Sequence, residues 1–387
     1  MYTIGYLMRF LLLITLLGLT SCLSSNVSQV NNEPSGKSAS EMGQTQENEK
    51  EDVSLDWFTS SKLKSTDIVS KEEAKLFVNN VYQTLDNNIF DPAFKKELRQ
   101  QHLKALISEV NAKPSWSRSK LTELVNNQLK KLSISHVKIL DAVEGGKMFR
   151  LFEQAPSSTD KSDQAISAQI RGEVGIVRVK SFIVPQINKA SIEQAKAQLS
   201  QAKVILIDLR GNGGGDIPSL IEDIIGSDKV ISTDRTRKGM AIREPYVFRG
   251  YYNDITGEAG IKLLEEKGYI QWRTRYEAKK DSRPYFILVD DKCGSACELF
   301  AAAAQENGGA KILGVRTMGA LLAGEAFKLR WQGFALIAPT AQVFSPKGNI
   351  IEAVGVQPDI QISECKNSGK ICLEKAIEVA GRVGSAQ

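Results

Sequence analysis

Lys292-Cys-Gly-Ser-Ala-Cys-Glu298 follows the apolar run Tyr285–Val289 and precedes the alanine-rich stretch Leu299–Ala304. That order reads as a strand, a tight turn carrying one serine, and a helix. Ser295 then stands near a helix N-terminus, where unpaired backbone N–H groups and the helix dipole favour negative charge. A serine there is either an ordinary helix cap or a nucleophile whose developing oxyanion meets backbone donors. Upstream, Val204-Ile-Leu-Ile-Asp-Leu-Arg-Gly-Asn-Gly-Gly-Gly-Asp216 is an apolar, β-branched run that ends in a glycine cluster, with a helix expected over Ile217–Ile225. Such glycines let the backbone turn sharply and aim N–H groups at a ligand. No Gly-Lys-Ser/Thr follows, which argues against a phosphate-binding P-loop.

Taken with three further pieces, the chain resembles the tail-specific, or C-terminal processing, serine peptidases and the related tricorn protease core. The pieces, in family order, are Gly175–Phe182, Asp208-Leu-Arg-Gly-Asn-Gly-Gly-Gly215, Gly294-Ser-Ala-Cys-Glu298, Gly314-Val-Arg-Thr-Met-Gly319 and Ile351–Asp359. The resemblance covers roughly residues 70–382. It implies an α/β chain with a Clp-protease/crotonase-like core and a helical N-terminal subdomain. Many members of the family use a serine–lysine dyad, with the lysine directly after Gly-x-x-Thr-x-Gly. Here that position is Ala320, whose methyl group accepts no proton. The next lysine, Lys328, falls in an alternating, strand-like run.

The histidine-type branch, resembling the tricorn core, takes its base from elsewhere. His136, in Leu132-Ser-Ile-Ser-His-Val-Lys-Ile139, stands where that branch carries its base. Ser135 matches the serine before it, and Glu352 matches the supporting glutamate. The family pattern there is Asp-x-His-Thr, so the match is imperfect. The resemblance thus implies Ser295 as nucleophile, His136 as base, Ser135 and Glu352 as its supports, and Gly214 and Ala296 as oxyanion-hole donors. An unperturbed histidine titrates at about 6.5, close to the working pH of a general base. The other histidine, His102, lies on a lysine- and glutamine-rich helical stretch and reads as a surface residue. The competing reading is a non-catalytic peptide-binding protein on the same fold, favoured by Ala320. A third is crotonase-type acyl-thioester chemistry, which an export signal disfavours because coenzyme A is a cytoplasmic cofactor.

The N-terminus carries such a signal. Arg9 precedes Phe10–Leu19, an apolar run too short to span a bilayer. Leu19-Thr-Ser-Cys22 resembles a bacterial lipobox, which makes 1–21 a lipoprotein signal peptide and Cys22 the acylated first residue of the mature chain. Several acyl chains anchor stably, whereas one does so only marginally. Leu23 follows, not aspartate, so the expected address is the cell envelope, at an outer membrane facing the periplasm. Residues 22–53 are polar and read as a disordered tether. Residues 54–142 read as the helical subdomain, 143–171 as a linker and 172–387 as the α/β core. Within the helical part, Ser70-Lys-Glu-Glu73 reads as a capping box opening one helix, and Asp91-Pro92 as the start of another. The linker is shorter than the ~50 residues of a minimal domain, so the PDZ module common in the family is not expected. Tyr251–Lys280 reads as a polar insertion, either a wall of the substrate groove or a surface excursion.

Fifty Lys and Arg against 45 Asp and Glu leave a net charge of +5, spread without a basic stripe, and no nucleic-acid partner is expected. The expected partners are unfolded or extended protein substrates and, through the lipid, a membrane; no oligomeric state is specified. No metal or cofactor is expected, since Cys293-x-x-x-Cys297 lacks further ligands for zinc. Cys365 and Cys372 are expected to form a disulfide in an oxidising compartment. For Cys293 and Cys297, which bracket Ser295, spacing permits a disulfide without requiring one. The lipid reading has a direct test: Cys22→Ser moves the protein from the membrane to the soluble fraction and abolishes incorporation of labelled palmitate.

Overall fold

The computed structural model describes residues 53–153, 165–183, 187–250, 257–366 and 369–384; Cys22 and nearly all of the stretch read as a tether lie outside them. The first part comprises α1 (Leu55–Thr59), β1 (Ile68–Ser70), α2 (Lys71–Asn88), α3 (Lys96–Asn111), β2 (Ser115–Ser117), α4 (Arg118–Lys131), β3 (Lys138–Leu140) and α5 (Ala142–Glu153). In α2, Phe77, Val81 and Leu85 recur at helical spacing and are fully buried. Ser70 caps this helix by accepting from Glu73 N–H. The capping box is only half formed, because the Glu73 carboxylate instead accepts from Trp331 Nε1–H at 3.0 Å. Asp91-Pro92 does not open α3. Asp91 accepts from the N–H groups of Ala93 and Phe94 in a turn of its own, and the helix starts at Lys96. In α4, Leu121, Val125 and Leu129, and Leu132 just beyond, line the buried face.

The second part continues with β4 (Ile166–Arg171), β5 (Val174–Val179), α6 (Lys189–Gln198), β6 (Val204–Asp208), α7 (Leu220–Ile225), β7 (Val230–Thr236), β8 (Tyr246–Arg249), α8 (Gly257–Lys267), β9 (Tyr269–Arg273), β10 (Tyr285–Val289), α9 (Ala296–Glu306), β11 (Ala310–Gly314), β12 (Leu322–Lys328), β13 (Ala335–Phe344), β14 (Ile360–Gln361) and α10 (Lys370–Gly384). The stretch read as a linker therefore contains most of α5 and all of β4. The polar insertion contributes α8 and β9 to a sheet, while 251–256 lie outside the described residues.

Two six-stranded arrangements organise these elements. In the first sheet the order is β14-β11-β10-β6-β5-β4, parallel except for the antiparallel β4–β5 pair. Its central strands β6 and β10 are buried at every position, as parallel strands covered on both faces must be. Residues of α6, α7 and α9 fill a core on one face, and α10 covers the other. Helix α9 is buried from Ala296 through Ala304, and its run of alanines permits that all-round packing. In the second sheet the path is β12-β13-β7-β9-β8, and β3 pairs antiparallel with Ala335–Ile337 of β13.

That last pairing joins the helical part to the core. Leu322, Leu336 and Ala338 of the sheet share one apolar cluster with α2 and α4. Phe77 stacks on Trp331 with centroids 3.7 Å apart, and Phe334 meets both rings edge-on. Removing a buried aromatic of this kind costs ~3–5 kcal/mol. Trp331→Ala should therefore lower the urea midpoint by a corresponding amount, and a shift below 1 kcal/mol would show that the two parts do not lean on this stack.

Candidate active site

Strand β10 delivers Ser295 through a six-residue connection to the first turn of α9. The serine is 6% exposed, with φ 56° and ψ −128°, a backbone region that L-residues rarely adopt. Strain of this kind persists only where the surroundings over-determine it. Here Ser295 N–H donates to Ala320 O at 3.1 Å, Gly294 N–H to Asn212 O at 3.2 Å and Met318 N–H to Cys293 O at 3.0 Å. Cys293 and Cys297 are joined by a disulfide across the serine, and Cys365 is joined to Cys372.

Glu298, wholly buried one turn into α9, ties the serine to the segment after β11. Its carboxylate accepts from Thr317 Oγ1–H at 2.5 Å, Gly319 N–H at 2.6 Å, Ala320 N–H at 2.7 Å and Ser295 N–H at 3.3 Å. Burial holds its pKa above the ordinary carboxylate value even though these donors pull it down. Sequence reasoning assigned Glu298 no role. The available signal was its place three residues after the serine, where a helix-capping acid stands.

Ser135, His136 and Glu352 form one hydrogen-bonded chain. Ser135 N–H donates to Glu352 Oε1 at 2.8 Å, and Ser135 Oγ–H donates to Glu352 Oε2 at 2.7 Å. Leu321 N–H reaches the same Oε2 at 2.9 Å. His136 Nδ1 lies 2.9 Å from Ser135 Oγ. A carboxylate can only accept, so the Ser135 hydroxyl proton points to Glu352 and its oxygen must accept from Nδ1–H. The neutral ring is thereby held as the tautomer with a free lone pair on Nε2. The Gly319–Leu321 turn lies between this chain and Ser295: Ala320 O holds Ser295 N–H, and Leu321 N–H holds Glu352. Among the described residues no hydrogen bond joins Ser295 Oγ to the His136 ring, a gap common before substrate binds.

The two expected oxyanion donors fare differently. Ala296 N–H, first of its helix, has no partner among the described residues. Gly214 N–H donates instead to Asn212 Oδ1 at 2.8 Å, so in this structure it is not free. The cause is local, since an Asn carbonyl readily accepts the N–H two residues on. Gly214 does back the serine: with φ 102°, a Cβ added there would fall 2.7 Å from Ser295 Cβ and 3.0 Å from Ala296 N. Below the loop, Arg210 pairs with Asp208 at 2.8 Å through two nitrogens, and Arg178 donates to the carbonyls of Asp208 and Arg210. His102 is half-buried and shares a hydrogen bond with Gln128, far in sequence from these groups. No cluster of metal-binding side chains occurs among the described residues.

Residues 173–362 match the family model for peptidase family S41. This domain belongs to that family. The chain is 24% identical over 208 residues to the carboxy-terminal-processing protease of Bartonella bacilliformis, covering 52% of this chain and 41% of that protein. It thus spans less than half the length of the curated relatives it matches. Among solved structures, it is similar to the tricorn protease at 13% identity with a TM-score of 0.51, over 80% of this chain and 36% of that one. It is also similar to a candidate peptidase of Parabacteroides merdae at 15% identity with a TM-score of 0.53, over 81% and 97% of the two chains. These likenesses show the fold: the S41 domain has a Clp-protease-like α/β architecture.

Packing around the His136 ring pushes its pKa from 6.5 down to about 4, while the residue's partial solvent exposure works against that shift. Neutral imidazole is the form that accepts a proton. A rate that depends on it is therefore full above the folded-state pKa and lost as pH falls through it. With His136 as the base of a peptidase, the acid limb of kcat/KM for a peptide substrate should have its midpoint below 6.5, toward about 4; a midpoint above 7 would contradict a ring held neutral by burial.

Proposed function

We propose that this chain is a lipid-anchored serine endopeptidase of the bacterial cell envelope that hydrolyses extended segments of extracytoplasmic proteins. The observation that carries the reading is the relay from Glu352 through Ser135 to His136, which leaves Nε2 free as a base. Ser295 Oγ attacks the peptide carbonyl while His136 Nε2 takes its proton. Ala296 N–H receives the oxyanion, joined by Gly214 N–H once Asn212 releases it. His136 then protonates the leaving amine, and water attacks the acyl ester by the same base in reverse. Glu352, charged at one end of the relay, stabilises the imidazolium that forms between these steps. The site contains no family lysine, and Ala320 contributes only its backbone.

Support comes from the S41 domain match, from the strained serine at a helix start, and from the polar relay beside it. The lipobox-like Leu19–Cys22 supports the envelope address, and among the described residues no helix is long and apolar enough to cross a membrane. One observation favours the second reading, a peptide-binding protein without turnover: the engaged Gly214 N–H leaves the oxyanion site half supplied.

A fluorophosphonate probe and an unstructured protein substrate separate the two. On the leading reading Ser295 labels, and Ser295→Ala and His136→Ala each lose most turnover, on the order of 10³-fold or more. The double variant is then little worse than either single one, because the two residues act as a unit. Glu352→Gln loses less, since it acts through orientation and charge. A wild-type protein that neither labels nor cleaves supports the binding reading. His136→Ala with full activity beside a dead Ser295→Ala points to another base.

A further inference from the structure

The glycine-rich turn ends in a group that the chemistry above does not use. Asp216 is 3% exposed, and its side chain makes no hydrogen bond or ion pair with a described residue; Oδ2 is sealed from solvent. Other buried carboxylates in the fold are supplied. Glu298 takes four donors and Glu352 three, while Asp234 accepts from Ser232 and Trp272. The two nearby arginines, Arg178 of β5 and Arg210 of the loop, are committed elsewhere, to Asp208 and to backbone carbonyls. Burial alone pushes the Asp216 carboxyl well above its ordinary pKa. A carboxylate kept from water without a partner is costly, and natural structures rarely leave one so.

Its position relative to the nucleophile is set by backbone bonds. Phe182 N–H donates to Gly214 O at 3.0 Å, and Asp216 N–H donates to Phe182 O at 2.9 Å, so 214–216 runs extended beside Phe182. Two residues of extended chain cover ~7 Å. Gly214 touches Ser295, which puts Asp216 within about one long side chain of the attacked bond.

We propose that Asp216 is a specificity-determining residue that receives the cationic end of a lysine or arginine side chain flanking the bond that Ser295 attacks. This rests on the peptidase reading and names its substrate class. Burial favours the protonated carboxyl before substrate binds; a donor-only cation beside it favours the ionised, acceptor-only form, and the pair is then charge-assisted in a site closed to water. An apolar side chain of the same length would leave the carboxyl buried and unpaired, so discrimination of ~10–100-fold against it is expected.

Two arms test this. In the first, calorimetry on Ser295→Ala compares an unstructured peptide carrying one lysine with the same peptide carrying norleucine. The lysine peptide should bind ~10-fold tighter or better, and the ratio should fall toward one in Ser295→Ala/Asp216→Asn. Equal binding of the two peptides overturns the proposal, and that comparison needs no Asp216 variant to fold. In the second arm, wild-type cleavage sites in an unstructured protein are mapped by mass spectrometry. Cleavage beside lysine and arginine, relaxed in Asp216→Asn, supports the assignment. Cleavage indifferent to basic residues overturns it and leaves the peptidase reading standing. No cleavage together with a preserved lysine preference in binding sinks the peptidase reading and keeps Asp216 as a cation site.

Discussion

The carboxylate of Glu352 is the point where distant parts of the chain are held to one another. It accepts from Ser135 on the helical side and from Leu321 on the strand side, so the segment carrying His136 and the turn beside Ser295 share one acceptor. Three donors on a nearly buried carboxylate keep it satisfied, and they also leave it no freedom to rotate. Its hydrogen-bonding capacity then dictates the tautomer of His136 two bonds away. Strand β3 takes up pairing with β13 two residues after that histidine, so sheet formation and the relay position the ring together.

A second carboxylate does for the serine what Glu352 does for the histidine. Ser295 sits in backbone geometry that would relax if left alone. Glu298 draws Thr317, Gly319 and Ala320 onto the start of α9, and Ala320 O in turn holds the Ser295 N–H. The turn after Thr317 is thus clamped between two buried acids, one from α9 and one from the segment after Asn349. Where the family's lysine would stand, Ala320 serves through its backbone on both sides, donating to Glu298 and accepting from Ser295. The disulfide across Cys293 and Cys297 adds a covalent brace to the same elbow.

The glycine loop shows how local hydrogen-bonding competes with a site's needs. Asn212 lies where its side-chain carbonyl can take Gly214 N–H, and its own amide is anchored to Val179 O. The loop is therefore ordered from within, on a base fixed by Arg178, Arg210 and Asp208. An oxyanion would have to outcompete a neutral amide for that N–H, and a full negative charge is the stronger acceptor.

Much of the architecture was legible in the sequence because it follows from periodicity. The apolar runs Val204–Ile207 and Tyr285–Val289, each ending in a turn before a helical stretch, read as strands, and the spacing of Phe77, Val81 and Leu85 read as one buried helical stripe. Ser295 at a strand-to-helix turn was legible for the same reason, and Ser70 was legible as a helix cap, though the reciprocal bond of the expected capping box is not made. Other features had no local signature. Glu73 turned from its own helix to Trp331, some 260 residues away, and Asp91-Pro92 closed a turn instead of opening a helix, because competing partners decide where a polar side chain goes. The engagement of Gly214 by Asn212, the four donors gathered by Glu298 and the isolation of Asp216 all depend on which groups the fold brings within 3.5 Å. The sequence by itself determined where the buried strands and the amphipathic helices of the main elements would lie and which polar residues were candidates for chemistry, since those follow from side-chain type and spacing along one chain. Only the tertiary structure decided which of those polar groups are satisfied, by whom, and which is left waiting, because a hydrogen bond is a property of two partners and the chain order names only one of them.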